Sequence, residues 1–167
     1  NYILLCMQKV GDASLRGIDV FEWTAQTVME LRQHTEREII IRPHPLYRKR
    51  VQHNILKEQL LKLKNVTWQD SDLEQNQWSP VQQQLKESWC VVTYTSGTGI
   101  DAVLNGTPSI ACDSGSMVYD VSSNNLSEVE NPFRGDKKEW TNKIAHCQWN
   151  IEEFVSGECW EHVSKSI

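Results

Sequence analysis

CVVTYTSGTGIDAVLNGTPSIACDSGSMVY, residues 90–119, is the stretch that decides the fold. Cys90 to Tyr94 is a short β-rich run that closes on a turn of small residues, Thr95-Ser96-Gly97-Thr98-Gly99. A helical pattern follows over Ile100 to Leu104, Asn105-Gly106 stops it, and Pro108 leads into a second apolar run, Ser109 to Cys112. The order is strand, small-residue turn, helix, strand. The first turn of a helix carries backbone N–H groups without intrahelical partners and the positive end of the helix dipole, so an anion is welcome there. Thr95, Ser96 and Thr98 add hydroxyls, and Gly97 and Gly99 let a ligand approach the backbone closely. A helix cap and nothing more is the structural alternative. The turn is not a Walker loop, because no G-x-x-x-x-G-K is present, and a dinucleotide fingerprint is missing too.

Working outward, Tyr2 to Met7 is a continuous apolar run, as a strand buried on both faces requires. Gln8 to Gly17 is a polar loop. Ile18 to His34 reads as a helix with Ile18, Phe21, Val28 and Leu31 on its apolar side. Glu38 to Arg42 is a second buried strand, ended by Pro43-His44-Pro45, where two prolines stop strand and helix alike. Val51 to Leu63 is a helix with Ile55, Leu56, Leu60, Leu61 and Leu63 as its apolar set. Asn65 to Trp68 is a weak strand, Asp70 to Gln77 a polar loop, and Pro80 to Glu87 a short helix with Ser79 as its cap. Ser114 to Asn131 is irregular. Lys137 to His146, Ile151 to Val155 and Trp160 to Val163 are helical. The alternation predicts an α/β fold: a doubly wound, Rossmann-like parallel sheet of about five strands, helices on both faces and C-terminal helices. The expectation is one domain over residues 1–167.

Composition narrows the function. The 167 residues are 39% apolar and 23% charged, which suits a folded globular chain. The formal net charge of −5 and the small basic cluster Arg48-Lys49-Arg50 argue against nucleic acid as a partner. No apolar run reaches the roughly 20 residues of a membrane helix, and the apolar start has neither basic flank nor cleavage site. The five cysteines include no C-x-x-C pair, so structural zinc is not expected. Their odd, scattered placement suits a reducing cytoplasm.

Ligands of doubly wound sheets lie beyond the carboxyl ends of the strands. Three loops at such ends carry candidate groups. Gln8, Lys9 and Asp12 follow the first strand: Lys9 can neutralise a diphosphate, Gln8 and Asp12 can touch sugar hydroxyls, and a solvated loop is the alternative. His44, stiffened by its prolines after Arg42, can donate to a phosphate oxygen; an exposed turn is the alternative. Thr95, Ser96, Gly97, Thr98 and Gly99 form the third. After the last strand, Asp113 can accept from ribose or sugar hydroxyls and Tyr119 can pack on a base or ribose, with a plain turn equally open. No catalytic triad is visible. Asp70-Ser71-Asp72 matches D-x-D literally but sits in a polar loop, so no metal or other cofactor is expected.

Ile39-Ile40-Ile41-Arg42-Pro43-His44-Pro45, followed by Thr93-Tyr94-Thr95-Ser96-Gly97-Thr98-Gly99-Ile100-Asp101-Ala102-Val103-Leu104-Asn105-Gly106-Thr107-Pro108, resembles the C-terminal half of capsule-polysaccharide-type GT-B glycosyltransferases, the group of Kdo-transferase-like and polysialyltransferase-like enzymes. The stretch Ile144 to Glu158 looks like their closing helices. The likeness runs through most of the chain and is sharp at the two motifs. It implies that His44 and the Thr95 to Thr98 turn bind the phosphate of a CMP- or UDP-linked sugar, with His44 catalytic through the leaving-group phosphate and Arg42 among the substrate contacts. It implies a glycan acceptor, a general base supplied by an N-terminal domain of the same protein, and a cytoplasmic location, peripheral at the inner face of the membrane. The paired Glu of the family's ribose pattern has no counterpart; Asp113 and Asp120 stand at a comparable place. A nucleotide-sugar epimerase half-domain and a non-catalytic α/β binding or regulatory module are the alternatives.

Overall fold

The computed structural model describes residues 1–44, 51–69 and 81–165. Pro45, the Arg48-Lys49-Arg50 cluster, the Asp70-Ser71-Asp72 match and the proposed Ser79 cap lie outside these residues. Residues Asn1–Gly135 and Asp136–Ile167 form two compact units.

The first unit is built on a parallel sheet of five strands: β1 (Ile3–Cys6), β2 (Ile39–Arg42), β3 (Val66–Trp68), β4 (Cys90–Thr93) and β5 (Ser109–Ala111), in the order β3-β2-β1-β4-β5. The Rossmann-like expectation holds. Four helices connect the strands: α1 (Val20–His34), α2 (Val51–Leu60), α3 (Val81–Glu87) and α4 (Thr98–Leu104). Side chains alternate across a strand, and β1 shows it. Ile3, Leu5 and Met7 join the cluster that holds Val20, Phe21, Val28 and Leu31 of α1 with Leu56 and Leu60 of α2. Leu4 and Cys6 join Leu85 of α3 and Ala102 of α4 on the other face. Both faces are therefore dry, which is why the strand reads as unbroken hydrophobics. Each such aliphatic side chain contributes about 1.5–3 kcal/mol on burial.

The helix boundaries shift for local reasons. α1 starts at Val20 rather than Ile18, because Asp19 caps it, accepting from the amides of Phe21 (2.7 Å) and Glu22 (3.3 Å). Ile18 is left exposed. α2 ends at Leu60, and Ile55 and Leu61 face solvent, so its buried stripe is narrower than the run of Leu and Ile suggested. α4 starts two residues before Ile100 and ends in a Schellman motif. Gly106 (φ 81) donates to Val103 O and Thr107 N to Ala102 O.

The second unit consists of α5 (Lys138–His146), α6 (Ile151–Ser156) and α7 (Glu158–Ser164). Asn150 and Glu153 make a reciprocal capping box at the start of α6. Gly157 (φ 87) provides the left-handed break between α6 and α7.

Gly99 is where α4 presses on the sheet. A Cβ there would stand 3.0 Å from Val118 Cγ2 and 3.3 Å from Thr93 Oγ1, and both neighbours are fully buried. Gly99→Ala is expected to destabilise the chain by about 1–3 kcal/mol, because a packed interior resists an added methyl. Gly97, whose Cβ would meet nothing within 4 Å, serves as the control. Urea unfolding of Gly99→Ala and Gly97→Ala measures the difference.

Candidate functional site at the strand switch point

β1, β2 and β3 run out to one side of the sheet, β4 and β5 to the other. Between β1 and β4 the direction of winding reverses, and right-handed crossovers then carry the helices to opposite faces. In sheets of this kind the ligand crevice lies at that point, beyond the carboxyl ends of the strands, here β1 and β4.

Gln8 follows β1 at this point and is 5% exposed. Its Oε1 accepts from the amide of Thr95 (2.8 Å), and its Nε2 donates to Thr95 Oγ1 (3.0 Å) and Ser14 Oγ (2.9 Å). Ser14 lies in a single 3-10 turn, Ala13–Leu15, capped by Asp12. Asp12 Oδ1 accepts from the Ser14 amide (2.9 Å) and hydroxyl (2.6 Å). One network thus joins Asp12, Ser14, Gln8 and Thr95 across the switch point. These bonds, with smaller help from Lys9 and His44, hold the Asp12 carboxyl below its ordinary pKa.

The rest of the turn keeps donors in reserve. Ser96 Oγ accepts from the Thr98 amide (3.3 Å) and lies 3.2 Å from Thr98 Oγ1. Gly97 caps α4 without a side-chain bond. Among the described residues the amides of Ser96 and Gly97 have no hydrogen-bond acceptor. α4 has only seven residues, so these two amides and the hydroxyls, more than any dipole, make the turn attractive to an anion.

His44 stands half-buried after β2. Burial lowers its pKa; Asp12 opposes that shift and Lys9 adds to it. The loops after β1 and β2 therefore share one electrostatic neighbourhood, and Gln8 links it to the turn after β4. On the other flank Tyr94 Oη donates to Asp113 Oδ2 (3.2 Å), and Asp113 Oδ1 accepts from the Gly115 amide (2.8 Å). Burial first, then this bond to Asp113, raises the Tyr94 pKa. Trp23 meets the Tyr94 ring edge-on at 5.7 Å.

The residues singled out from the sequence divide into groups. Gln8 and Thr95 are bonded to each other, Lys9, Asp12 and His44 share one electrostatic neighbourhood, and Ser96, Gly97 and Thr98 line the turn. Gly99 packs beneath it against Val118, beside which Tyr119 starts a 3-10 turn. Asp113 is on the Tyr94 flank. Arg42 is directed elsewhere: its Nη1 donates to Gln84 Oε1 of α3, on the face opposite α1. Ser14, Tyr94 and Arg16 were not singled out. The Asp12-Ala13-Ser14 spacing of an Asx turn is the one local signal for Ser14. Among the described residues no three His, Cys, Asp or Glu gather as a metal site, and no described helix is long and apolar enough to cross a membrane.

No protein-family model and no curated protein matches the chain. Solved structures do. The UDP-GlcNAc 2-epimerase of Methanocaldococcus jannaschii, in complex with UDP-GlcNAc and UDP, aligns over 86% of this chain and 44% of its own, at 16% identity and a TM-score of 0.55. A second structure of the epimerase aligns over 87% and 45%, at 15% identity and 0.53. The chain spans less than half the length of these neighbours. At such identity the likeness is one of fold, and that fold is the Rossmann-like one described above.

Two outcomes follow from the geometry. Gln8→Leu leaves the Thr95 amide without its acceptor and takes one donor from the Ser14 hydroxyl, so a loss of about 1–3 kcal/mol is expected, read from the urea midpoint at constant slope. His44 is expected to titrate below its ordinary 6.5 by proton NMR, and Asp12→Asn to lower it further. The unfolded chain then binds the proton more readily than the folded one. His44 stabilises fully above 6.5, and that contribution is lost as pH falls through the lower folded value.

Proposed function

We propose that this chain is the nucleotide-sugar-binding domain of a metal-independent glycosyltransferase of the capsule-polysaccharide type, acting in polysaccharide or surface-glycan synthesis. Two observations support the reading: Gln8 after β1 is bonded to the Thr95 amide after β4, and His44 after β2 shares an electrostatic neighbourhood with Lys9 and Asp12 of the loop after β1. The fold likeness to an enzyme solved with UDP-GlcNAc and UDP supports a nucleotide-sugar ligand.

In this reading an acceptor hydroxyl attacks the anomeric carbon while the anomeric C–O bond breaks. The electron pair of that bond goes to the leaving phosphate. His44, through a ring N–H, and the Ser96 and Gly97 amides receive the growing charge. Preorganised donors of this kind contribute about 2.7–4 kcal/mol each to a transition state. An arriving phosphate also raises the His44 pKa against the burial that lowers it, so the imidazole gains a proton when the ligand calls for one. The acceptor proton passes to a base on an N-terminal domain of the same protein, which also holds the glycan acceptor. The location proposed is the cytoplasm, at the inner face of the membrane.

Amide NMR with CMP, UDP and GDP tests this. At least one nucleotide is expected to shift Ser96 to Gly99, and His44→Ala to weaken it about tenfold or more without altering the fold. If none of the three moves those signals, the proposal fails. The fold neighbours favour a second reading, the half-domain of a nucleotide-sugar epimerase. Product analysis on the full-length protein separates the two: transfer to a glycan acceptor supports the first, a free sugar-nucleotide epimer the second.

A further inference from the structure

Two cations lie near the network at the switch point. Lys9 lies near enough to Asp12 and His44 for both to feel its charge. Arg16 lies on the opposite flank. Its Nη2 is 3.0 Å from where a Cβ on Gly115 would stand, and its charge is felt by Tyr94. Between the two flanks run Gln8, Ser14 and Thr95, with Ser96 and Gly97 beyond.

Arg16 occupies its place at a cost. Its backbone is left-handed (φ 51, ψ 37), where an ordinary side chain costs about 1–2 kcal/mol. The position ends the Ala13–Leu15 turn, and the Arg16 amide donates to Ala13 O (3.1 Å). Glycine serves that role without strain, and Gly17 (φ 88) stands next to it. Strain tolerated in this way gathers at ligand sites. The guanidinium is what distinguishes Arg16 from the residue its backbone prefers.

Nothing described spends that guanidinium. Neither Lys9 nor Arg16 makes a hydrogen bond or ion pair with a described residue. The acidic groups near them take other donors: Asp12 Oδ1 accepts from the Ser14 amide and hydroxyl, and Asp113 from the Gly115 amide and the Tyr94 hydroxyl.

We infer that the crevice is built for two adjacent anionic groups, those of a nucleoside diphosphate, with Lys9 holding one phosphate and Arg16 the other. A nucleoside monophosphate satisfies only one of the two. The inference rests on the nucleotide-binding reading above and narrows it. Arg16 acts here as a specificity-determining contact, because a planar guanidinium takes two phosphate oxygens at once.

Calorimetric titration of the full chain with the pairs UDP and UMP, CDP and CMP, GDP and GMP tests it. For the base that binds, the diphosphate is expected to bind at least about tenfold tighter than the monophosphate. Arg16→Gly, which suits the left-handed backbone and so preserves the fold, is expected to bring that ratio within about threefold. It should leave the thermal midpoint equal or higher. Equal affinity for both members of a pair overturns the inference. So does Arg16→Gly weakening both alike, or leaving the ratio intact. In those cases nucleotide binding itself survives. Failure of every nucleotide to bind removes the parent reading together with this one.

Discussion

A primary amide buried at the point where a sheet reverses direction must find partners, and Gln8 governs this structure for that reason. With 5% exposure, it has almost no recourse to water. Leaving such a group unpaired costs about 1–3 kcal/mol, a real fraction of the 5–15 kcal/mol that holds a domain together. The partners it takes, Ser14 on its own loop and Thr95 on the loop after β4, pull two segments together that have no direct covalent reason to meet. The same bonds therefore fix the loop after β1 against the loop after β4 and contribute to stability.

That coupling also sorts the polar groups. Gln8 and Thr95 are occupied by the scaffold. The Ser96 and Gly97 amides, by contrast, have no acceptor among the described residues. Burial biases His44 toward the neutral imidazole, while Ser14 keeps Asp12 ionised. The two opposite tendencies lie side by side, which leaves a local field that a bound anion changes strongly. The cysteines take no part. Burial pushes the thiols of Cys6, Cys90 and Cys112 up to about 12, so they behave as small apolar groups.

Much of the fold was legible. Ile3 to Cys6 and Cys90 to Thr93 read as continuous apolar runs because both faces of the sheet are covered. Asn105-Gly106 announced the end of α4, and its Schellman bonds bear that out. Errors came where apolar residues do not mean burial: Ile18, Ile55 and Leu61 fit a helical stripe yet face solvent, because a capping Asp19 and a narrow α2 contact set the boundaries. His53 of α2 lies buried edge-on against Trp68 of β3 at 4.9 Å, a residue fifteen positions away in the chain.

The sequence by itself determined the order of strands and helices, the two buried faces and the small-residue turn, because these follow from periodicity and local turn chemistry. Only the tertiary structure decided that Gln8 binds Thr95, that Arg42 donates to Gln84, and that Arg16 lies beside Gly115. Gln8 and Thr95 are 87 residues apart. A hydrophobic pattern says which way a side chain faces, whereas the partner of a buried polar group depends on strand order and on where the winding reverses, and no local spacing carries that information.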